Sequence, residues 1–341
     1  MSKFVLVTGG AGYIGSHTVV ALCNMGYTPV IVDDFRNAHP IVLEGLKNIT
    51  GQVIEVHRID CCNKIDLEKV FDSRLWDGII HFAAYKAVGE SVEQPLKYYQ
   101  NNLTSLFNVL DLMKKHSIEN LVFSSSCSVY GEPKDTIEVD EQTPKQLPNS
   151  PYGYTKWMCE QILEDFSKAN HWARCMSLRY FNPIGAHKSA RIGEFPIGKP
   201  NNLLPYITQT ASGKLKNLTV FGNDYPTKDG TCIRDYIHVE DLADAHVLAL
   251  NYLNTKQNKP LSVFNVGTGK GTSVLEMIQC FEKVNSVELS WGFGKRREGD
   301  VTAIYANVNK INSLIGWSAK RTLEDSVRSA WEWENYLSSK V

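Results

Sequence analysis

The run Lys3-Phe4-Val5-Leu6-Val7-Thr8 passes without a linker into Gly9-Gly10-Ala11-Gly12-Tyr13-Ile14-Gly15, an apolar stretch meeting regularly spaced glycines. A chain that leaves a strand, turns and enters a helix at once needs positive φ or a missing Cβ at Gly9 and Gly12, and room at Gly15 for helix and strand to pack closely. The turn also offers the free N–H groups and positive dipole end of a helix, which makes it a seat for a pyrophosphate. Thr28-Pro29-Val30-Ile31-Val32 reads as a second strand, and Asp33 at its tip has close to the spacing at which an acid binds an adenosine ribose diol. A carboxylate there repels a 2′-phosphate and favours NAD over NADP; Arg36, just beyond, argues the other way.

With 341 residues the chain is long for one core and suits two lobes. Its first half alternates apolar runs with helix-like segments. Strands are expected at residues 53–58, 78–82, 121–123 and 174–180, each ending in small or polar residues. The expected fold is α/β, a Rossmann-type doubly wound parallel sheet with a smaller mixed α/β substrate-binding lobe. In such a sheet the ligand sits beyond the carboxyl ends of the strands. The alternation loosens beyond residue 183, which divides the chain into an NAD-binding domain at 1–183 and a substrate lobe at 184–341. That division leaves open whether residues around 235–255 pack back on the first domain. A closing amphipathic helix is expected at 322–338, with Trp331 and Trp333.

The 36 basic and 37 acidic residues give no global charge to recruit nucleic acid or an anionic membrane, so phosphate binding must be local. Eight cysteines form no CxxC pair, and the adjacent Cys61 and Cys62 suggest neither a metal site nor a disulfide framework. No apolar stretch approaches the ~20 residues of a membrane span. The expectation is a reduced, cytoplasmic protein without metal.

Ser150-Pro151-Tyr152-Gly153-Tyr154-Thr155-Lys156 predicts a helix to about residue 170, with Pro151 in its first turn. Tyr152 and Lys156 then share a face one turn apart. A phenol with an ordinary pKa of about 10 is a poor base at neutral pH, and a neighbouring ammonium favours the phenolate. Tyr154 has no such partner, because Met158 stands where its lysine would be. Upstream, Ser124-Ser125-Ser126 ends a strand; Ser124 and Ser125 read as packing. His81 and His238, in strand-like runs, read as core histidines.

Taken together these residues resemble the extended short-chain dehydrogenase/reductases, and within them the nucleotide-sugar branch, over nearly the whole chain. The carriers are Thr8 through His17, His81-Phe82-Ala83-Ala84, Lys86 through Ser91, Phe123 through Gly131, Arg179-Tyr180-Phe181-Asn182-Pro183, Pro200-Asn201-Asn202-Leu203, Phe221 through Tyr225, Arg234 through Val239, and Arg296-Arg297-Glu298-Gly299-Asp300. The resemblance implies that Gly9, Gly12, Tyr13, Ile14, Gly15, Asp33, Asp34 and Asn37 hold the adenosine and pyrophosphate half of NAD. It puts Asp60 and Cys61 at the adenine, and Phe82, Ala83, Ala84, Lys86, Asn101 and Phe181 further along the cofactor. Cys61 departs from the aliphatic residue usual there; a buried Cys behaves as a small hydrophobe.

Ser126, Tyr152 and Lys156 match the catalytic trio and also touch the cofactor, Ser126 being placed for a sugar hydroxyl. Lys86, Ser126, Tyr152, Asn182, Asn202, Leu203, Phe221, Arg234, Arg297 and Asp300 match the substrate set, with Arg234 and Arg297 as a diphosphate clamp. Ile304 occupies a position that lines the hexose pocket, where a bulky aromatic resembles restrictive members and a small residue permissive ones; Ile304 is neither.

The activity implied is reversible C4 epimerisation of UDP-galactose and UDP-glucose through a 4-keto sugar, the isomerase step of galactose metabolism, with NAD regenerated each turnover. The family commonly forms homodimers through two helices, here about 96–116 and 152–170. Two alternatives share the scaffold. A nucleotide-sugar 4,6-dehydratase needs an Asp-Glu pair directly after the strand-end serine or threonine, where this chain has Cys127-Ser128. An inactive NAD-binding regulator would have lost Tyr152 or Lys156, and both are present.

Overall fold

The structure, a computed structural model, describes residues 3–134, 136–255, 261–297 and 300–340. The inner strands of the large sheet are apolar on both sides because each is covered on both faces. Successive side chains of a strand point to opposite faces. Val5, Val7, Ile31, Ile80, Val122, Met176 and Leu178 accordingly enter one apolar cluster, and Leu6, Val30, Val32, Ile79, Leu121, Phe123 and Cys175 the other.

Seven strands form one parallel sheet. Their spatial order is Glu55–His57, Tyr27–Val32, Lys3–Thr8, Gly78–His81, Asn120–Ser124, Arg174–Tyr180 and Leu261–Val266. The order reverses direction between Lys3–Thr8 and Gly78–His81, and strand ends there leave a crevice. The run expected at 53–58 is shorter than its apolar pattern, since only Glu55–His57 pairs, at the sheet edge.

The seventh strand was not read from the sequence. Leu261–Val266 pairs with Arg174–Tyr180 from Leu261 opposite Cys175 to Val266 opposite Tyr180. The helix Val239–Asn254 packs Leu242, Ala243, Ala245 and Val247 into the cluster that holds Val19 and Val20 of the helix Tyr13–Asn24. Residues 239–266 thus complete the large sheet and one of its covering layers. The other layer comes from the helices Pro95–Lys115 and Pro151–Ala169.

The smaller lobe has a four-stranded sheet ordered Thr272–Ser273, Ile233–Arg234, Ala303–Ala306, Glu138–Val139, and two ribbons, Asn182–Ile184 with Tyr236–His238 and Leu218–Phe221 with Trp291–Gly294. Its helices Val274–Asn285 and Leu323–Ser338 each open on a capping box, Ser273 with Glu276 and Thr322 with Asp325. Trp333 is buried and donates its indole N–H to the Glu194 carbonyl at 2.9 Å. Asp235 joins the lobes: its fully buried carboxylate accepts N–H bonds from Thr268 (2.8 Å), Gly269 (3.1 Å) and Ala306 (3.2 Å) and the Thr268 hydroxyl (2.7 Å). Among the described residues no helix is long and apolar enough to cross a membrane.

Candidate active site

The glycine turn forms for steric reasons that differ by position. Gly9 has φ +69°, and a Cβ there would lie 2.8 Å from the Ala83 nitrogen. A Cβ on Gly15 would lie 2.2 Å from the Gly9 carbonyl oxygen, so Gly15 makes room for the loop itself rather than for the strand. Gly12 does not need positive φ. It is extended at φ −70°, and a Cβ would meet only the Gly9 oxygen, at 3.2 Å. Gly12 heads the helix Tyr13–Asn24, whose first turn has no side-chain cap and no acidic residue. That cradle, excluding side chains and ending on a helix dipole, fits a pyrophosphate.

Asp33 is tied to the same turn. Ala11 donates its N–H to Oδ2 at 3.0 Å and Phe35 to Oδ1 at 2.9 Å. Burial raises its carboxyl above the ordinary range, and the two N–H groups pull it back. Arg36 is committed elsewhere: its guanidinium pairs with the Asp34 and Asp60 carboxylates and donates to the Tyr85 hydroxyl at 2.8 Å and Asn101 Oδ1 at 3.4 Å. Two carboxylates neutralise it, which removes the reservation it raised about a 2′-phosphate.

Asp60 also accepts the Cys62 N–H at 2.8 Å, and Cys61 beside it is buried. Tyr13 crosses to the other lobe and donates its hydroxyl to the Gly185 carbonyl at 2.6 Å. The Phe82 N–H reaches the Thr8 carbonyl at 2.9 Å. Ala83 and Ala84 are half-buried at the same strand end, Ile14 packs beside the core, and Asn37 is exposed.

Ser126 leaves the strand Asn120–Ser124 and caps a short 3-10 turn, its Oγ accepting the Ser128 N–H at 3.2 Å and the Ser128 hydroxyl at 2.9 Å. Ser150 caps the helix Pro151–Ala169 through the Gly153 N–H, with Pro151 in the first turn. That register buries Tyr152 and Lys156 together and leaves Tyr154 half-buried. The Ser126 hydroxyl stands near the Tyr152 phenol and favours its ionised form.

The expected depression of the phenol is absent in the chain by itself. Burial raises Tyr152 well above an ordinary phenol, and the nearby Tyr180 adds to it; the Ser126 hydroxyl opposes both. Lys156 lies 6.0 Å from the Tyr152 ring centroid, and its Nζ donates to the Ser124 carbonyl at 2.6 Å. Burial brings Lys156 down to about 8, so it remains an ammonium at neutral pH.

Ser124 and Ser125 do more than pack. The Ser124 hydroxyl meets the Tyr180 hydroxyl at 2.5 Å, and Ser125 donates to Glu160 Oε1 at 2.6 Å. Glu160 follows Lys156 by one turn and holds Arg179 in a two-pronged buried pair at 2.8 and 2.7 Å, with Lys145 at 2.7 Å. His81 bonds Thr8 Oγ1 at 2.7 Å, and burial brings it down to about 3; His238 caps the helix Val239–Asn254.

On the smaller lobe, Arg234 pairs with Asp300 at 3.7 Å, and its charge reaches the Cys127 thiol. Arg297 stacks on Phe221 with its guanidinium 4.7 Å from the ring centroid. Glu298 and Gly299 between them lie outside the described residues. Ile304 pairs in register with Arg234 and packs beside Phe181, Val129 and Cys127. Asn182 donates its backbone N–H to the Asp235 carbonyl at 2.9 Å, and Leu203 begins the helix Leu203–Ala211, which Asn202 heads. Instead of capping that helix, the Asn202 amide reaches Glu194 Oε1 at 2.6 Å, and Lys86 Nζ reaches the same oxygen at 3.1 Å. Glu194, Glu160 and Tyr85 were not singled out from the sequence, and Asp235 entered only as part of the Arg234–Val239 run, with no role of its own. Most of their partners are remote in the chain, and no local spacing marks them.

A glycine-turned dinucleotide crevice beside a Tyr–Lys helix defines a nucleotide-dependent hydroxyl-oxidising site. The chain belongs to the NAD dependent epimerase/dehydratase family, which matches residues 5–267. It is 49% identical over 332 residues to a UDP-glucose 4-epimerase of Bacillus subtilis, covering 97% of this chain and 96% of that one. It is 47% identical over 336 residues to a bifunctional UDP-glucose 4-epimerase and UDP-xylose 4-epimerase of Pisum sativum, covering 97% and 95%. The crystal structure of UDP-glucose 4-epimerase from Bifidobacterium longum, in complex with NAD+ and UDP, superposes with a TM-score of 0.95 at 42% identity, covering 99% of this chain and 100% of that one.

Proposed function

We propose that this protein interconverts UDP-galactose and UDP-glucose by reversible C4 epimerisation with tightly held NAD. The observation that carries the reading is the meeting of Ser126, Tyr152 and Lys156 at one strand end, beside a crevice whose glycines exclude side chains. The likeness to UDP-glucose 4-epimerases over almost the full chain supports it. The glycine turn, Asp33, Asp34 and Asp60 would hold the dinucleotide, which when bound would supply the acceptor, and then the donor, of the hydride at C4 of the sugar.

As phenolate, a form that its burial opposes and the neighbouring Lys156 charge favours, Tyr152 takes the proton of the 4-hydroxyl and later restores it, while Ser126 aligns the hydroxyl and then the ketone. Lys156 keeps a positive charge beside them. Arg234, Arg297, Asn182, Asn202, Leu203, Phe221 and Asp300 hold the UDP moiety, so the hexose turns about its diphosphate tether with few contacts of its own. Dehydration is disfavoured because Cys127 and Ser128 cannot supply the acid that it needs.

The enzyme works as a cytoplasmic homodimer. Eight free cysteines support a reducing compartment. Leu96, Phe107 and Met158 stand exposed on the two helices expected to pair, beside half-buried Leu103 and Ile162. Charging that stripe with Phe107→Glu should give a monomer by sedimentation; an unchanged mass would remove the stripe from the interface.

The test of function is the purified protein. NAD released on denaturation and conversion of UDP-galactose to UDP-glucose without added metal are the expected results. A required divalent ion, or NADH accumulating in step with turnover, would contradict the reading.

A further inference from the structure

Glu194 ties together two residues that the family resemblance assigns to bound nucleotides, Lys86 to cofactor and substrate and Asn202 to the UDP-sugar. Lys86 comes from the loop after the strand Gly78–His81, on the cofactor side. Asn202 comes from the head of the helix Leu203–Ala211, on the nucleotide side. Both donate to a single oxygen, Oε1, at 3.1 and 2.6 Å. The Glu194 side chain is 11% exposed, so its charge is poorly screened. Its backbone is fixed: Trp333 donates to the Glu194 carbonyl, and a Cβ on the preceding Gly193 would lie 2.5 Å from the Trp333 ring. A carboxylate on a rigid seat therefore occupies the donors that a diphosphate would use.

We propose that Glu194 is a built-in competitor for the substrate diphosphate, a positioning residue that holds Lys86 and Asn202 when no sugar nucleotide is present and sets how readily UDP-linked product leaves. The inference rests on the assignment of this cleft to UDP-sugars. A phosphate approaching Lys86 and Asn202 must draw them from Glu194 and then sit near a like charge. Some binding energy is thereby withheld from the tether. An epimerase gains from that, because substrate and product share the same UDP anchor, and an anchor held too tightly slows every release.

The experiment is UDP titration of the NAD-loaded enzyme by calorimetry, comparing wild type with Glu194→Gln. The amide keeps the size and can still accept from Asn202, but it removes the charge. Glu194→Gln should bind UDP roughly tenfold more tightly, the scale of one charge-assisted hydrogen bond gained by the phosphates. Uridine, which has no phosphate, should bind both proteins alike. In turnover the variant should show a lower KM without a higher kcat. A residue that only shaped the cleft would weaken UDP when changed, so unchanged or weaker UDP binding overturns the proposal, as does equal tightening of uridine. Should Glu194→Gln fail to fold, Glu194→Ser leaves the backbone bond to Trp333 and carries the same expectation. Wild-type enzyme that binds no UDP would instead sink the functional assignment itself.

Discussion

Tyr152 is surrounded by groups that keep its proton on: burial and Tyr180 outweigh the Ser126 hydroxyl, while the Lys156 ammonium is directed at the Ser124 carbonyl. The base is therefore stored protonated in the chain by itself. Tyr152→Phe should lower turnover at least about a hundredfold while leaving UDP affinity nearly intact, because the phenol acts chiefly in the transition state. Tyr154→Phe, half a turn away and without a lysine partner, should be close to neutral; a damaging change at 154 with a silent one at 152 would refute the register. Ile304 makes a separate prediction. It is 4% exposed and wedged beside Phe181 and Val129. A β-branched side chain cannot swing aside easily, and it offers an acetamido group no hydrogen bond. Wild type should prefer plain hexoses, and Ile304→Cys should raise the ratio of UDP-N-acetylglucosamine to UDP-glucose turnover. An unchanged ratio would show that Ile304 does not line the pocket.

The helix Pro151–Ala169 shows what a sequence discloses about an element and what it withholds. Pro151, Tyr152 and Lys156 were legible because helical spacing, a capping serine and an N-terminal proline are local facts. Glu160, one further turn along the same face, was not, because its meaning lies in Arg179 and Ser125, two residues brought to it by neighbouring strands. The strand Leu261–Val266 was missed for a like reason: the order of strands in a sheet is not written in any one of them, and its partner Arg174–Tyr180 is far away in the chain. The Glu160–Arg179 pair has a testable energetic consequence. Removing one member of a buried pair strands the other charge, at about 3–5 kcal/mol. Arg179→Met should lose about that much in urea unfolding, with Lys145 keeping the loss near the lower end. A loss below ~1 kcal/mol would show that the pair is dispensable.

Across the whole molecule, protonation is the largest shared liability. Burial brings His17 and His81 down to about 3, and His187, His238 and His246 down to about 4, from an ordinary 6.5. The folded chain keeps all five neutral where the unfolded chain would take up protons. Stability should therefore be complete above pH 6.5 and fall as pH drops from there toward 4. Depression of Glu160 adds a loss at the acid end, and the raised carboxyls of Asp33, Asp235, Glu240 and Asp244 act in the opposite direction. Thermal melting at pH 7.5 and pH 5 should show a clear fall in Tm; equal values would contradict the neutral histidines.

The path of the backbone bears on catalysis at this same scale. The polypeptide passes from the large sheet into the smaller lobe after Tyr180, returns at Val239 and leaves again after Val266, while Glu138–Val139 contributes a strand to the smaller sheet from the other side. A hinge needs a few freely turning residues between two bodies. Here several crossings and the Asp235 carboxylate span the gap, so the lobes are braced like the two sides of a frame. On the proposed function, the half-rotation would therefore fall to the oxidised sugar, swinging like a gate on its diphosphate post, rather than to a movement of the frame.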